Sequence, residues 1–126
     1  MTMFPMVEVE VEGSRARTKV RALLDTGFTD FLCLPTEIAV QLGLELRGWN
    51  FIEYADGTEK RELYFTGKVA FEGRKRKVEI YLTDSDEPLV GMKLLRGCQV
   101  LIDVPKKKVE ITRTPKKKKT DEPKGE

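Results

Sequence analysis

Leu23-Leu24-Asp25-Thr26-Gly27 places an ionisable residue between the apolar end of a strand and a glycine turn. The apolar residues before Asp25 predict a partly buried carboxylate. Gly27 carries no side chain, so its N–H can come close to that carboxylate. Thr26 offers a short hydroxyl able to hydrogen-bond across an interface. On its own, so short a pattern reads more simply as an aspartate capping a turn. Its surroundings decide between the two readings.

Upstream, Val7, Val9 and Val11 alternate with Glu8, Glu10 and Glu12. Period two means one buried and one wet face, hence a strand. Gly13-Ser14-Arg15 is a turn, and Thr18 to Leu24 is the returning strand. Downstream, Phe31 to Leu34 is fully apolar and reads as a buried strand. Pro35-Thr36 opens a short helix with Thr36 as its cap and Ile38, Ala39 and Leu42 on one face. Gly43 ends it, because glycine tolerates a left-handed backbone.

Trp49 to Ala55 and Glu59 to Thr66 form a hairpin around Asp56-Gly57, a strong turn pair. Gly67 and Gly73 then punctuate two further strands, Lys68 to Phe71 and Lys75 to Thr83. Asp84-Ser85-Asp86-Glu87-Pro88 is a polar loop. Leu89-Val90-Gly91 leads into a short helical stretch, Met92 to Leu95. Val100 to Ile102 and Lys108 to Ile111 are the last strands, turning at Pro105-Lys106. The expected fold is mostly β: a small closed or partly open barrel with one or two short helices.

Composition narrows the chemistry. The chain has 126 residues, 40% of them hydrophobic, which suits one domain with a packed core. There is no histidine, which removes Ser-His and Cys-His catalysis and most transition-metal sites. Cys33 and Cys98 are too few for a disulfide framework and read as buried free thiols. No apolar run is long enough to span a membrane as a helix, and Met1 to Glu8 has no secretion-signal pattern, so a cytoplasmic location is expected. The formal net charge is +2, but lysines 116–119 concentrate positive charge in a tail. The body is nearly neutral, so nucleic acid is not an expected partner. From Thr114 on there is no apolar residue, which predicts a domain over 1–113 and a disordered Lys-rich tail over 114–126. Asp84, Asp86 and Glu87 lack a regular ligand pattern, so no metal and no cofactor are expected. Trp49 reads as a core or dimer residue.

Taken in order, these features resemble the retropepsin-like aspartic peptidases over about Val7 to Ile111. Leu23 to Gly27 looks like the active-site loop, and Phe31 to Leu44 looks like the strand and helix that follow it. The Asp56-Gly57 hairpin sits where that family carries its flap. Leu89-Val90-Gly91 with Leu94-Leu95 looks like the second apolar-apolar-glycine motif, which packs behind the loop. One residue departs from the pattern: Phe28 stands where serine or alanine is usual, as an aromatic does in distant prokaryotic members. The resemblance implies Asp25 as the catalytic aspartate, with Thr26, Gly27 and Gly91 supporting its loop. The flap position implies substrate contacts at Tyr54, Asp56 and Gly57.

Peptide hydrolysis needs both an activated water and a proton donor. One carboxylate cannot serve as both at once. Two can, since carboxylates about 4 Å apart repel by roughly 4 kcal/mol at an effective dielectric near 20, so the pair retains one proton. The chain has one Asp-Thr-Gly, and neighbours on one loop, such as Asp30, rarely converge. A twofold axis would set Asp25 against Asp25 of a second copy. The expected function is therefore a homodimeric aspartic endopeptidase acting on peptides. The alternative is a non-catalytic peptide-binding or dimerisation module with the same fold, with Phe28 as its main support.

Overall fold

The computed structural model describes residues 4–53 and 56–114. Nine strands and one helix are present among them: β1 (Met6–Glu12), β2 (Arg17–Leu24), β3 (Leu32–Pro35), α1 (Thr36–Leu42), β4 (Glu45–Glu53), β5 (Glu59–Phe71), β6 (Arg74–Thr83), β7 (Leu89–Val90), β8 (Cys98–Asp103) and β9 (Lys108–Arg113). The first seven strands form one sheet in the order β1-β2-β7-β3-β6-β5-β4. β1 also pairs with β5 through Glu10–Ala70, Val11–Val69 and Glu12–Lys68, which bends the sheet into a partly closed barrel. β4 hangs off β5 as the outer strand of a long hairpin.

The period-two pattern is realised in β1, where Val9 and Val11 are fully buried and Val7 is nearly so. They meet Leu24, Leu32, Leu34, Val69, Ile80 and Val90 in one core. Fully burying an aliphatic side chain of this kind contributes roughly 1.5–3 kcal/mol. The β8–β9 hairpin forms a separate sheet. Val100, Val109 and Ile111 pack its inner face on the core. Arg113 ties it down, donating to the carbonyls of Glu72 at 3.0 Å and Phe71 at 3.1 Å.

Several expectations are corrected. Thr36 is the first residue of α1 rather than its cap; Pro35 occupies the cap position, and no side chain caps the helix. Pro35 is also the last residue of β3, paired with Thr83, so strand passes into helix with no residue between. Gly43 does end the helix, at φ 73°, its N–H reaching the carbonyls of Ala39 and Val40. Gly67 interrupts nothing: β5 runs through it for 13 residues. A methyl there would stand 2.8 Å from Leu44 Cδ2 and 3.2 Å from the Glu12 carbonyl, so Gly67 permits a close approach. Met92 to Leu95 is a series of turns, with Leu94 and Leu95 N–H bonded three residues back to Gly91 and Met92. The segment between Gly91 and Gly97, where φ is +78°, is too short for a stable helix. Trp49 is outside the chain's core, 48% exposed, in edge contact with Phe51 at 5.4 Å and under the Arg61 guanidinium at 4.8 Å. The tail from 115 onward and Tyr54 lie outside the described residues.

Candidate active site

Asp25 directly follows β2, and its position is set by strand pairing. β2 and β7 run parallel, matching Leu23 with Leu89 and Leu24 with Val90. That register carries the Asp25 N–H to the Val90 carbonyl at 2.9 Å. The chain then turns, with the Phe28 N–H on the Asp25 carbonyl at 3.1 Å. Inside this turn the Gly27 N–H donates to Asp25 Oδ1 at 2.9 Å. A methyl at Gly27 would stand 3.3 Å from that same oxygen, a tight contact. The approach expected from a bare glycine is thus present.

Gly91 packs directly behind the loop. The Met92 N–H donates to the Phe28 carbonyl at 2.8 Å, and the Lys93 N–H to the Asp30 carbonyl at 3.2 Å. The Gly91 N–H itself donates to the Phe31 carbonyl at 3.1 Å. Phe28 fits into this arrangement with its ring against Gly91. Thr26 is exposed at the loop's outer turn, where a neighbouring molecule can reach it.

Asp25 opens onto a cleft of about 420 Å³. Gly27, Phe28, Thr29 and Asp30 line it from the loop, and Cys33, Tyr81, Leu82, Thr83 and Leu89 from the barrel. Ile52, Glu53 and Glu62 line it from the β4–β5 hairpin, which therefore stands beside Asp25. Asn50 Nδ2 donates to the Tyr81 hydroxyl at 2.9 Å and fastens the hairpin's base to β6. Burial pushes the Tyr81 hydroxyl above its ordinary pKa, and burial pushes the Cys33 thiol up to about 11.

The hairpin tip lies apart from the cleft of the single chain. Asp56 and Gly57 are exposed, and neither lines the cleft. Asp56 Oδ1 accepts from the Thr58 hydroxyl at 2.7 Å and the Thr58 N–H at 3.0 Å, bonds that hold its carboxyl below the usual range. Gly57 takes φ +87°, the left-handed conformation that suits glycine. Both residues shape the turn. The cleft-lining residues that pattern reading did not assign to the site are Ile52 and Glu62 on the hairpin's inner face and Asp30, Cys33 and Tyr81 below. Alternation along β4 and β5 marks which face points inward, but not what lies opposite it.

In the Asp84–Glu87 loop, Ser85 N–H donates to Thr83 Oγ1 and Glu87 N–H to Ser85 Oγ, each at 3.0 Å. No three metal-ligating side chains converge among the described residues. No helix of the described residues is long and apolar enough to cross a membrane.

Residues 7–94 match a family model described as "Aspartyl protease". Among solved structures, the EIAV protease in complex with the inhibitor HBY-793 superimposes with a TM-score of 0.57 at 21% identity, covering 73% of this chain and 85% of that one. The simian foamy virus (mac) protease, determined in solution, gives a TM-score of 0.50 at 24% identity over 69% of this chain and 87% of its own. At such identities the likeness is one of fold. No curated protein matches in sequence.

Proposed function

The chain belongs to the aspartyl protease family and has its retropepsin-like fold, and from that premise we propose that it is an aspartic endopeptidase working as a homodimer. The observation that carries this reading is the seating of Asp25. Its carboxylate is held by the Gly27 N–H at the mouth of a cleft between an active-site loop and a flap-like hairpin.

Half a catalytic apparatus is present in one chain. The sequence contains one Asp-Thr-Gly, and a second copy supplies its partner. In the pair, the ionised carboxylate takes a proton from a water lying between the two Asp25 side chains. The protonated carboxyl polarises the scissile carbonyl and later protonates the leaving amine. Thr26, exposed on the loop, braces one loop against the other across the twofold axis. An extended peptide lies under the hairpins and pairs with them as an added strand. Residues 1–113 make up this domain, and the Lys-rich segment 114–126 lies outside it. Cys33 and Cys98 form no disulfide, which fits a reducing compartment such as the cytoplasm.

The alternative, a non-catalytic peptide-binding module, is favoured only by Phe28. That ring lies on Gly91 while the backbone hydrogen bonds of the loop remain in place, which supports the catalytic reading.

Asp25→Asn tests the proposal, since it removes the ionisable group at nearly constant volume. The variant is expected to lose cleavage of a diverse peptide library while keeping the wild-type unfolding midpoint and sedimentation behaviour. A wild-type protein that stays monomeric while it cleaves peptides would sink the homodimer; one that never cleaves between acid and neutral pH would leave the binding module.

A further inference from the structure

We infer that Arg74, Arg76, Arg96 and Arg113 form an oxyanion site that takes a phosphate group, either free or in the backbone of a nucleic acid strand. None of the four lines the Asp25 cleft, so the site is independent of the peptidase reading. The nearly neutral charge of the body hides it, because the arginines come from three separate segments and meet only in the fold.

Arg113, at the end of β9, lies between the other two segments. On one side its Nε donates to the Glu72 carbonyl at 3.0 Å and its Nη2 to the Phe71 carbonyl at 3.1 Å. Phe71 is the strand partner of Arg74. On the other side, a methyl on Gly97 would stand 3.7 Å from Arg113 Nη1, which puts the guanidinium next to the neighbour of Arg96. Arg76, two residues along β6 from Arg74, crosses to the same turn and donates from Nη2 to the Lys93 carbonyl at 3.4 Å. Its guanidinium also lies 5.2 Å from the centre of the Phe31 ring, which fixes its direction.

This gathering of positive charge has no counter-charge. Among the described residues none of the four arginines forms an ion pair. Glu72 is at hand, but it meets Arg113 through its carbonyl and not its carboxylate. Burial and the charges of Arg74, Arg113 and Arg96 push the Arg76 guanidinium below its ordinary pKa. Each guanidinium has five N–H donors, and the carbonyl bonds of Arg76 and Arg113 leave most of theirs open. Arg74 and Arg96 are exposed and bring further donors. Several guanidinium forks suit a tetrahedral phosphate better than a carboxylate, which offers only two oxygens. The chain leaves from this same place, the Thr114 N–H donating to the Gly97 carbonyl at 2.7 Å, and lysines 116–119 follow. They supply cations for the next phosphates of a strand.

Two probes test the site on the full chain. In the first, sodium phosphate is titrated against sodium chloride at equal ionic strength, and the arginine Nε–H resonances are followed by NMR. Phosphate alone should shift those of Arg76 and Arg113. In the second, a fluorescent oligothymidylate of about 12 nucleotides is bound at several salt concentrations. Arg74→Gln with Arg96→Gln should weaken its binding about tenfold at low salt. It should also make the log–log salt dependence shallower by about 1.4, or 0.7 for each lost phosphate contact. Both residues are exposed, so the unfolding midpoint should hold. A shift with phosphate but no oligonucleotide binding assigns the site to free phosphate, and arginine-dependent oligonucleotide binding assigns it to a strand. No response to either probe overturns the inference, as does binding only to anionic lipid vesicles. Oligonucleotide binding that is lost with Lys116→Gln, Lys117→Gln, Lys118→Gln and Lys119→Gln yet unchanged by the arginine substitutions, with no phosphate shift, also overturns it. If the arginine double variant does not fold, the phosphate titration of the wild-type protein decides.

Discussion

Gly91 lies so close beneath Phe28 that a methyl group on it would stand 2.6 Å from both the Phe28 ring and the Phe28 carbonyl oxygen, and would overlap the Asp30 carbonyl. Two of these three obstacles are backbone atoms, which cannot swing aside. The contact couples two segments distant in sequence, the Asp25 loop and the turn after β7. Gly91→Ala is therefore expected to cost about 3 kcal/mol through overpacking. Gly73→Ala is the comparison, because Gly73 has open space around it but φ +76°. Its cost is conformational only, about 1 kcal/mol. Urea unfolding of both variants checks the difference; equal losses would mean that the Gly91 contact is slack.

The Asn50–Tyr81 hydrogen bond links the hairpin's outer strand to the barrel wall beside Asp25. Tyr81→Phe removes the acceptor and is expected to cost about 1 kcal/mol. The effect should be local. Amides of β4 should exchange faster with solvent, while those of β6 keep their protection. Uniform loss of protection would place the Tyr81 contribution in the core instead.

Arg113 holds the β8–β9 hairpin against the barrel through two carbonyls of the β5–β6 turn region. Arg113→Met keeps the aliphatic stem and removes the donors, with an expected loss of about 2 kcal/mol. Hydrogen exchange of β8 and β9 should rise before that of the barrel. A variant that unfolds with no separate loosening of the hairpin would contradict this.

The Cys33 thiol is buried and its pKa is pushed up to about 11 from an ordinary 9.0, mainly by burial, with Glu62 adding to it. Burial here favours the neutral thiol of the folded state. The associated stability is full below pH 9, and is lost as pH rises through about 11. Thiolate is the reactive form, so Cys33 should resist a thiol reagent at pH 8 in the native protein. Cys98 is half-buried and should react first. Labelling followed by peptide mapping, native and in denaturant, checks the order; rapid native labelling of Cys33 would show that the cleft wall opens.

Much of the fold was legible from local patterns. Val7, Val9 and Val11 announce the buried face of β1, Asp56-Gly57 announces the hairpin turn, and Gly43 announces the end of α1. In each case the cause lies in consecutive residues. The failures share a different cause. Gly67 looks like a break because glycine often is one, but here it makes room for Leu44 and the Glu12 carbonyl. Thr36 looks like a cap, yet β3 runs straight into the helix. Local pattern also did not name Ile52 and Glu62, which the folded hairpin presents to the cleft.

By itself the sequence determined most of the strands along the chain, the single Asp-Thr-Gly and the glycine at its back, since periodicity and backbone freedom belong to neighbouring residues. Only the tertiary structure decided which side chains share a space with Asp25. Closure of β1 on β5, the parallel register of β2 with β7 and the hydrogen bond from Asn50 to Tyr81 bring four segments to one cleft. Its acidic lining is a product of those registers, because side chains far apart in sequence become neighbours only once the strands are paired.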